Sequence, residues 1–208
     1  IVDTVYFGGG TPCYLGPKRL KALLSSVQKH YVLSKDAEIT LEANPDSAGD
    51  WRALRTLRRA GFNRISLGMQ SSIEGELRAV GRIHTFEQVR AAVDAARKAK
   101  FKNASLDLIY GLPEQTMESF SASLRAAVAL EPEHISCYGL KLEEGTPLYT
   151  ARNTFSAADD DLQADMYLFA VSFLQEAGFA QYEISNFARP GFESRHNLKY
   201  WTLSEYAG

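Results

Sequence analysis

Residues 2–12 read VDTVYFGGGTP, and the order of elements in this segment recurs along the chain. An apolar, strand-like run over Val2–Phe7 leads through three glycines to a helical pattern that opens at Pro17. Three adjacent glycines favour neither helix nor strand, so the chain requires a bare backbone there. The turn matches neither GxGxxG nor the lysine-serine pair of a Walker loop. A cofactor-binding loop and a simple tight turn both remain open at this point.

The unit of strand, turn and helix recurs along the chain. Strand-like segments cover 2–7, 38–44, 64–70, 104–111, 134–142 and, least regularly, 181–185. Helical patterns separate them, including one from Thr85 to about Lys98 that opens with the capping box Thr85–Gln88. Helices ending in Ala-Gly-Phe at 60–62 and 177–179 each lead to a strand. This alternation predicts a parallel sheet with crossover helices, in either an open doubly wound sheet or a closed or partly closed barrel.

The two faces of each predicted strand differ in character. One face is small or polar, and its residues are Thr40, Glu42, Ser66, Gly68, Gln70, Ser105, Asp107, Ser136 and Tyr138. The other face carries Ile, Leu, Met and Cys. Parallel strands that are covered on both faces normally read as continuous apolar runs. A barrel whose lumen holds a polar ligand accounts for the pattern, whereas the intervening helices argue against an antiparallel sheet with one solvated face.

Polar side chains cluster where the predicted strands end. Glu42 ends the second strand, Gln70 ends the third, and Asp107 lies in the fourth. In a parallel α/β fold, ligands bind beyond the carboxyl ends of the strands. Buried carboxylates need hydrogen-bond partners, which a ligand's hydroxyl or ammonium groups would supply. The alternative is that each acid pairs with an arginine such as Arg82.

Composition bounds the functional classes. The chain has 208 residues, 45% of them hydrophobic, with a net charge of −2 and a pI near 6.1. This charge gives no reason to expect nucleic acid or an anionic membrane as partner. Two cysteines, Cys13 and Cys137, favour a reducing, cytoplasmic setting. The chain begins inside a strand-like run without a methionine, which we interpret as a fragment that starts partway into its fold.

Six ordered blocks then carry a family resemblance. They are YFGGGTP, LEANPD, RISLGMQS with GRIHT, LDLIYGLPEQT, YEISNFA, and HNLKYW. In this order they resemble the oxygen-independent coproporphyrinogen III oxidase-like radical SAM proteins, and most closely the HemW-type haem-chaperone branch. The resemblance implies a partial (β/α)6 parallel barrel that lacks its first strand and cluster loop. It also implies S-adenosylmethionine (SAM) and a [4Fe-4S] cluster as cofactors at the barrel mouth.

The resemblance assigns eight residues to SAM. These are Gly9, Gly10, Thr11, Glu42, Gln70, Arg82, Asp107 and Gly139. The glycine-rich turn would receive the amino group of SAM through backbone atoms. The carboxylates would accept from ammonium or ribose hydroxyls. By the same resemblance, Gln70 and Arg82 would hold the SAM carboxylate or a second ligand, and Gly139 would place its backbone against the cofactor.

The cluster motif CxxxCxxC of this family is absent from the chain. Cys13 and Cys137 cannot replace it, because three thiolates at local spacing are needed to leave one iron open for SAM. We expect the motif upstream of Ile1, no metal site within these residues, and no radical chemistry from the chain alone. Cys13 is interpreted as a small buried thiol.

The HNLKYW segment indicates which branch is present. His196 is a candidate axial ligand for haem, with Tyr200 and Trp201 as aromatic surface for the macrocycle. Read from the residues alone, a histidine beside asparagine is more often a hydrogen-bonding or surface residue. The HNxxYW pattern is characteristic of the haem-chaperone branch. The resemblance therefore implies a protein that carries haem to acceptor proteins, including a transient membrane-associated acceptor.

Two other functions stay open. The first is a true coproporphyrinogen III oxidase, which decarboxylates that porphyrinogen to protoporphyrinogen IX by radical chemistry. The second is a phosphate-binding barrel enzyme that uses Glu42 and Asp107 as acid and base. For the organisation of the chain we predict a radical SAM partial barrel over 1–185. A segment over 186–208, bearing HNLKYW, would lead toward a further carboxy-terminal domain.

Overall fold

The computed structural model describes residues 1–207 as a curled α/β half-barrel. The strands are β1 Val2–Phe7, β2 Leu33–Ala43, β3 Arg64–Gln70, β4 Ala104–Tyr110, β5 His134–Gly139, β6 Ala180–Gln181 and β7 Asn186–Ala188. The helices are α1 Gly16–His30, α2 Trp51–Ala60, α3 Glu74–Ala79, α4 Phe86–Lys98, α5 Met117–Ala129, α6 Pro147–Thr150, α7 Asp160–Glu176 and α8 Arg195–Trp201. Short 3₁₀ turns at Pro12–Leu15 and Pro45–Ser47 follow β1 and β2.

The strands form one seven-stranded sheet in the order β1-β2-β3-β4-β5-β7-β6. β1 to β5 are parallel and joined by helical crossovers, which confirms the predicted α/β half-barrel. The predicted sixth strand at 181–185 was wrong in position, because β6 ends at Gln181 and the next strand, β7, begins at Asn186. The chain instead makes a tight reversal between β6 and β7, and β7 pairs antiparallel to β5. The short connection between β6 and β7 permits only an antiparallel pairing of those two strands.

Local sequence chemistry sets the helix ends. Asp50 caps α2 by accepting from the backbone N–H of Arg52 at 2.8 Å, and Gly61 ends that helix at φ 128°. The predicted capping box Thr85–Gln88 is present at the start of α4, with both reciprocal bonds made. These caps fix the entry and exit of the crossover helices, and so the strand ends that follow them.

The outer face of the sheet carries the hydrophobic core. Its strand residues, all essentially buried, are Ile39, Leu41, Ile65, Leu67, Met69, Leu106, Leu108, Ile135 and Cys137. The crossover helices cover them with side chains such as Leu24, Leu57, Val93 and Leu124. This burial of apolar area is the main stabilising contribution to the fold.

The inner face is polar, as the strand parity predicted. Register pairs Thr40 with Arg64, and Ser66 with Ser105, across the parallel strands. Arg64 is the largest fully buried side chain of the described part of the chain. Its Nε and Nη2 have no hydrogen-bond partner within residues 1–207. The lumen therefore holds a desolvated cation that sequence inspection did not single out.

Helix α8 closes one end of this lumen. The carboxylate of Glu38, on β2, accepts from the backbone N–H groups of Arg195 and His196, each at 3.1 Å, and from Ser194 Oγ at 3.4 Å. The first backbone N–H groups of a helix have no hydrogen-bond partner within the helix. A carboxylate that accepts from them is stabilising, because it satisfies these groups and its charge is favourable at the positive end of the helix dipole. The sheet itself continues past the predicted boundary at 185, since β7 pairs with β5. The division into 1–185 and 186–208 stays a prediction.

Within residues 1–207, no helix combines the length and apolar character that crossing a membrane requires.

Burial of His134 predicts a loss of stability in mild acid. Its ring lies between Ser105 Oγ at 2.7 Å and Tyr182 Oη at 2.8 Å, and desolvation holds its pKa well below 6.5. Below pH 6.5 the His134 imidazole is protonated in the unfolded chain but stays neutral in the folded chain. The free energy of unfolding is therefore highest above pH 6.5 and decreases as the pH falls below it. Near pH 5.5 the loss from this one group is on the order of 1 kcal/mol.

Urea unfolding of the chain at about pH 7.5 and 5.5 measures this loss. His134→Gln, which cannot titrate, should show a smaller difference between the two pH values. The remaining difference comes from His84 and His196, whose pKa values desolvation also lowers. An undiminished pH dependence in His134→Gln would contradict the assignment.

Candidate functional site

A cavity of about 610 Å³ opens at the carboxyl ends of β1 to β5. Seven of the eight residues predicted to bind the cofactor line it: Gly10, Thr11, Glu42, Gln70, Arg82, Asp107 and Gly139. Gly9 lies beside it in the same turn but is not part of the lining. Asn44, Ser66, Gly68, Tyr138 and Lys141 also contribute. The volume is in the range of pockets that enclose a small-molecule ligand.

The glycine turn after β1 forms one wall. Gly9 and Gly10 have φ of 81° and 151°, a region that side chains rarely adopt. A Cβ on either would meet no protein atom within 4 Å, so conformation rather than crowding within the protein requires glycine there. Crowding acts on Gly8 instead, where a Cβ would lie 2.6 Å from Tyr6 Cε1 and 2.8 Å from Glu42 Cδ.

Glu42 is held by a tyrosine and not by an arginine. Tyr6 donates its hydroxyl hydrogen to Glu42 Oε1 at 2.5 Å. Within residues 1–207 neither Glu42 nor Asp107 forms an ion pair within 4 Å. The alternative in which both acids pair with arginine is therefore not what the described part of the chain shows. One Glu42 oxygen is left to accept from a group in the cavity.

Asp107 lies on β4, which is separated from the strand of Glu42 by β3. Ser66 Oγ donates to its two oxygens at 3.0 and 3.1 Å, and Ser105 Oγ lies 3.4 Å from Oδ1. Desolvation raises the pKa of Asp107, while hydrogen bonds from serines and the charge of Arg64 oppose that rise. The side chain keeps part of its surface open to the cavity. A hydrogen bond from a ligand to this carboxylate would offset the free-energy cost of its desolvation.

The rim carries an amide and a cation. Arg82 Nη1 donates to Asn44 Oδ1 at 3.5 Å, and Asn44 Nδ2 donates to Thr11 Oγ1 at 3.0 Å. Gln70 ends β3 at φ 62°, an uncommon conformation for a non-glycine residue, at an irregularity in the pairing of β3 with β4. Strained backbone of this kind is concentrated at ligand-binding positions.

Gly139 closes the far side of the cavity. A Cβ there would approach the ring of Tyr110 at 3.1 Å, so glycine leaves room for that ring. Tyr138 lines the cavity, whereas Tyr110 packs against Phe120 and Tyr167 on the outer side. Tyr138 is therefore in the cavity wall, whereas Tyr110 is not.

Neither cysteine is suited to ligate iron as a thiolate. Desolvation raises the pKa of Cys137 to about 12 and that of Cys13 to about 11. Cys13 Sγ lies 3.8 Å from the backbone oxygen of Glu42, and Cys137 is in the hydrophobic core. Residues 1–207 contain no group of three His, Cys, Asp or Glu side chains positioned to hold a metal ion.

His196 lies on α8, at the closed end of the lumen. Its ring stacks on that of Tyr6, with centroids 4.9 Å apart and planes 18° apart. Nδ1 lies 3.0 Å from Thr4 Oγ1, and Nε2 lies 3.2 Å from Tyr200 Oη. Tyr200 and Trp201 are each 54% exposed. The three predicted haem residues therefore lie on one short helix, with the histidine turned inward and the aromatic rings outward.

The model of the radical SAM superfamily matches residues 1–127. This chain belongs to the radical SAM superfamily. The match covers the glycine turn, Glu42, Gln70, Arg82 and Asp107. It confirms the superfamily that the ordered motifs indicated.

Curated relatives place the chain beside the haem-chaperone branch of this superfamily. It is 44% identical over 210 residues to "Heme chaperone HemW" of Mycobacterium tuberculosis (strain ATCC 25618 / H37Rv), covering 100% of this chain and 53% of that protein. It is 40% identical over 207 residues to the protein of the same name from Escherichia coli (strain K12), covering 100% and 54%. The chain thus spans about half the length of the curated relatives that it matches.

Among solved structures, the chain resembles the coproporphyrinogen III oxidase HemN from Escherichia coli, described as a radical SAM enzyme. The TM-score is 0.81 at 28% identity, over 97% of this chain and 46% of that one. The half-barrel is therefore a radical SAM fold.

Two residues of this radical SAM half-barrel were missed from the sequence. Tyr6 was counted only as part of an apolar strand, although it shares its strand face with Thr4 and bonds to Glu42. Arg64 was overlooked at the start of β3, although it has the same parity as Ser66 and Gly68. Strand parity was the signal that would have placed both in the lumen.

The crowding at Gly8 predicts a specific destabilisation. Gly8→Ala should force Tyr6 and Glu42 apart, because the new methyl group would overlap both side chains. Overpacking of this kind costs about 1–3 kcal/mol of unfolding free energy. Gly49→Ala is the matched control, since a Cβ there meets no atom within 4 Å. Urea unfolding of both variants measures the difference, and equal stabilities would show that Gly8 is not constrained.

Proposed function

We propose that the full-length protein binds haem and delivers it to acceptor proteins, with SAM and a [4Fe-4S] cluster as its cofactors. The observation that carries the proposal is α8, which displays the HNLKYW motif at the end of the lumen opposite the cavity. On it, His196 contacts the lumen strand β1 while Tyr200 and Trp201 offer exposed aromatic surface. The names of the two bacterial relatives described above support this function.

The cavity suits SAM in shape and in charge. Glu42 on β2 and Asp107 on β4 supply acceptor oxygens to the cavity, which match the ammonium and ribose hydroxyl donors of SAM. Arg82 and Gln70 at the rim supply donors for the SAM carboxylate. Gly10 and Gly139 leave backbone accessible, so a ligand can approach closely. When bound beside a reduced cluster, SAM supplies one-electron radical chemistry.

The cluster itself does not fit this chain. The raised pKa values of Cys13 and Cys137 keep both thiols protonated, and the two cysteines lie in different elements. We propose that other residues of the full-length protein supply the cluster ligands, so no step is assigned to the cluster here.

Haem binding at His196 requires an exchange of partners. Both ring nitrogens already have hydrogen-bond partners, Thr4 within the lumen and Tyr200 on the outer side. Nε2 is the nitrogen that faces the exposed aromatic side, so we assign it as the iron ligand, with Tyr200 released. Desolvation lowers the pKa of His196, which keeps the imidazole neutral and able to ligate at neutral pH.

The ligand assignment predicts opposite effects for two neighbouring substitutions. His196→Ala should weaken haem binding by about tenfold or more, since it removes the iron ligand. Tyr200→Phe should preserve or strengthen binding, because Nε2 then has no competing hydroxyl. Haem titration of the full-length protein, followed by its absorption spectrum, measures both.

His30→Ala is the matched control, because that exposed histidine lies on α1 and bonds only to the Ser26 carbonyl. Unchanged haem affinity in His196→Ala would remove His196 as the ligand.

The SAM assignment has its own test at Asp107. Asp107→Asn keeps the shape but removes the charge, and should weaken SAM binding to the cluster-loaded full-length protein by about 10- to 100-fold. Asp94→Asn, on the exposed face of α4, should leave the affinity unchanged. Equal affinities in the two variants would contradict the assignment of Asp107. SAM binding that depends on Asp107 would also argue against a phosphate-binding barrel enzyme.

An anaerobic product assay separates the chaperone from the oxidase. The chaperone proposal predicts no conversion of coproporphyrinogen III by the reduced, SAM-loaded protein. Formation of protoporphyrinogen IX would establish oxidase activity and overturn a chaperone-only function. As partners we propose haem-accepting proteins, including membrane-associated acceptors met transiently, and no nucleic acid. We propose a cytoplasmic setting.

A further inference from the structure

Tyr6 connects the SAM-type cavity to α8. Its hydroxyl hydrogen-bonds to Glu42, a wall of the cavity, and its ring stacks on His196. A single side chain on β1 thus contacts both a proposed SAM ligand and the proposed haem ligand. No other side chain in residues 1–207 makes direct contacts of this kind with both Glu42 and His196.

We propose that Tyr6 is a positioning residue that aims Glu42 into the cavity, and that His196 in turn fixes Tyr6. The affinity of the cavity for SAM therefore depends on the state of His196, although the histidine is outside the cavity wall. The part of this proposal that concerns haem rests on the proposed function. The part that concerns Tyr6 and His196 does not.

The first link is the orientation of Glu42. Within the described chain, the hydroxyl of Tyr6 is the one hydrogen-bond donor to the Glu42 carboxylate. Without it the carboxylate would be free to rotate about its side-chain torsions, and binding would have to fix it. Burial and the neighbouring carboxylate raise the pKa of Tyr6, so the phenol stays a donor throughout the physiological range.

The second link is the rigidity of the stack. Thr4, two residues before Tyr6 on the same face of β1, bonds to His196 Nδ1. Glu38, on the same face of β2 as Glu42, accepts from the His196 N–H. The two strands that carry Tyr6 and Glu42 therefore also anchor the histidine. A movement of the imidazole must disturb the stack on Tyr6 or the bond to Thr4.

The consequence for haem follows from reciprocity. Ligation of iron by Nε2 replaces the bond to Tyr200 and reorients the ring that packs on Tyr6. If haem changes the affinity for SAM by some factor, SAM must change the affinity for haem by the same factor. SAM and haem, bound on opposite sides of Tyr6, would thus change each other's binding affinity without direct contact.

A double-mutant cycle without haem tests the central link. The dissociation constant of SAM is measured by equilibrium dialysis, under anaerobic conditions, on the full-length protein with its cluster reconstituted. The four proteins are the unaltered one, Tyr6→Phe, His196→Gln, and both substitutions together. Each single change should weaken SAM binding by about five- to tenfold. The double variant should be no weaker than Tyr6→Phe, because a phenylalanine ring at this position stacks but has no hydroxyl to hold Glu42.

Tyr14→Phe is the matched control. It also removes a tyrosine–carboxylate bond, from Tyr14 to Asp46 at 2.9 Å, but outside the cavity wall, so SAM affinity should not change. Urea unfolding of each variant separates a positional effect from a loss of fold. Additive effects of Tyr6→Phe and His196→Gln, or no effect of either, would overturn the proposal.

A haem arm distinguishes this proposal from the proposed function. Saturating haem should change SAM affinity in the unaltered protein and leave it unchanged in Tyr6→Phe. If haem did not bind, the proposed function would be wrong. A non-additive double-mutant cycle would still support the coupling of His196 to Glu42 through Tyr6. Bound haem with no effect on SAM affinity would overturn the haem coupling alone.

Discussion

A parallel sheet with one polar face must satisfy that face inside the molecule, and this constraint organises the whole half-barrel. Apolar helix faces cover the outer face of the sheet, so water on that side cannot hydrogen-bond to the polar side chains of the inner face. At one end of the lumen α8 satisfies Glu38 with three donors. At the other end Glu42 and Asp107 turn toward an open cavity. A ligand with several donors would satisfy the acceptor oxygens that these two carboxylates present to the cavity.

The middle of the lumen carries a chain of hydrogen bonds between these two ends. Asp107 is linked to Ser105, Ser105 to His134, and His134 to Tyr182. Tyr182 in turn accepts from the backbone of Ser194, the cap of α8. Such networks are stable only when their members are satisfied, and they then specify one arrangement of the surrounding elements. The position of α8 is therefore tied to both walls of the cavity, through Tyr6 and through His134.

The parts of the lumen and the cavity that could be predicted from the sequence are those that depend on the periodicity of the strands. Side chains along a strand alternate between its two faces with a fixed period of two. The polar lumen and the cavity residues Glu42, Gln70 and Asp107 could therefore be predicted from the sequence. The partners of those residues did not follow, because tertiary pairing between β1 and β2 brings Tyr6 to Glu42. The antiparallel β7 was missed for a related reason. Two- and three-residue strands carry too little alternation to reveal direction, which their neighbours decide.

The role of His196 shows the same limit in another form. Its motif indicated haem, whereas its general context favoured an ordinary hydrogen-bonding histidine, and the structure gives it hydrogen bonds on both ring nitrogens. Only packing could reveal that these bonds hold a ring against Tyr6. A residue of this kind can be structural in one state and a ligand in another, since an imidazole nitrogen binds either a hydrogen or a metal.

A crystal structure of the cluster-loaded, full-length protein with SAM bound would test the assignment of the cavity. We expect SAM in the cavity at the strand ends, with donor groups of the ligand on Glu42 and Asp107 and with the Tyr6–Glu42 bond intact. SAM bound elsewhere, or bound in the cavity with both carboxylates turned away from it, would overturn the assignment.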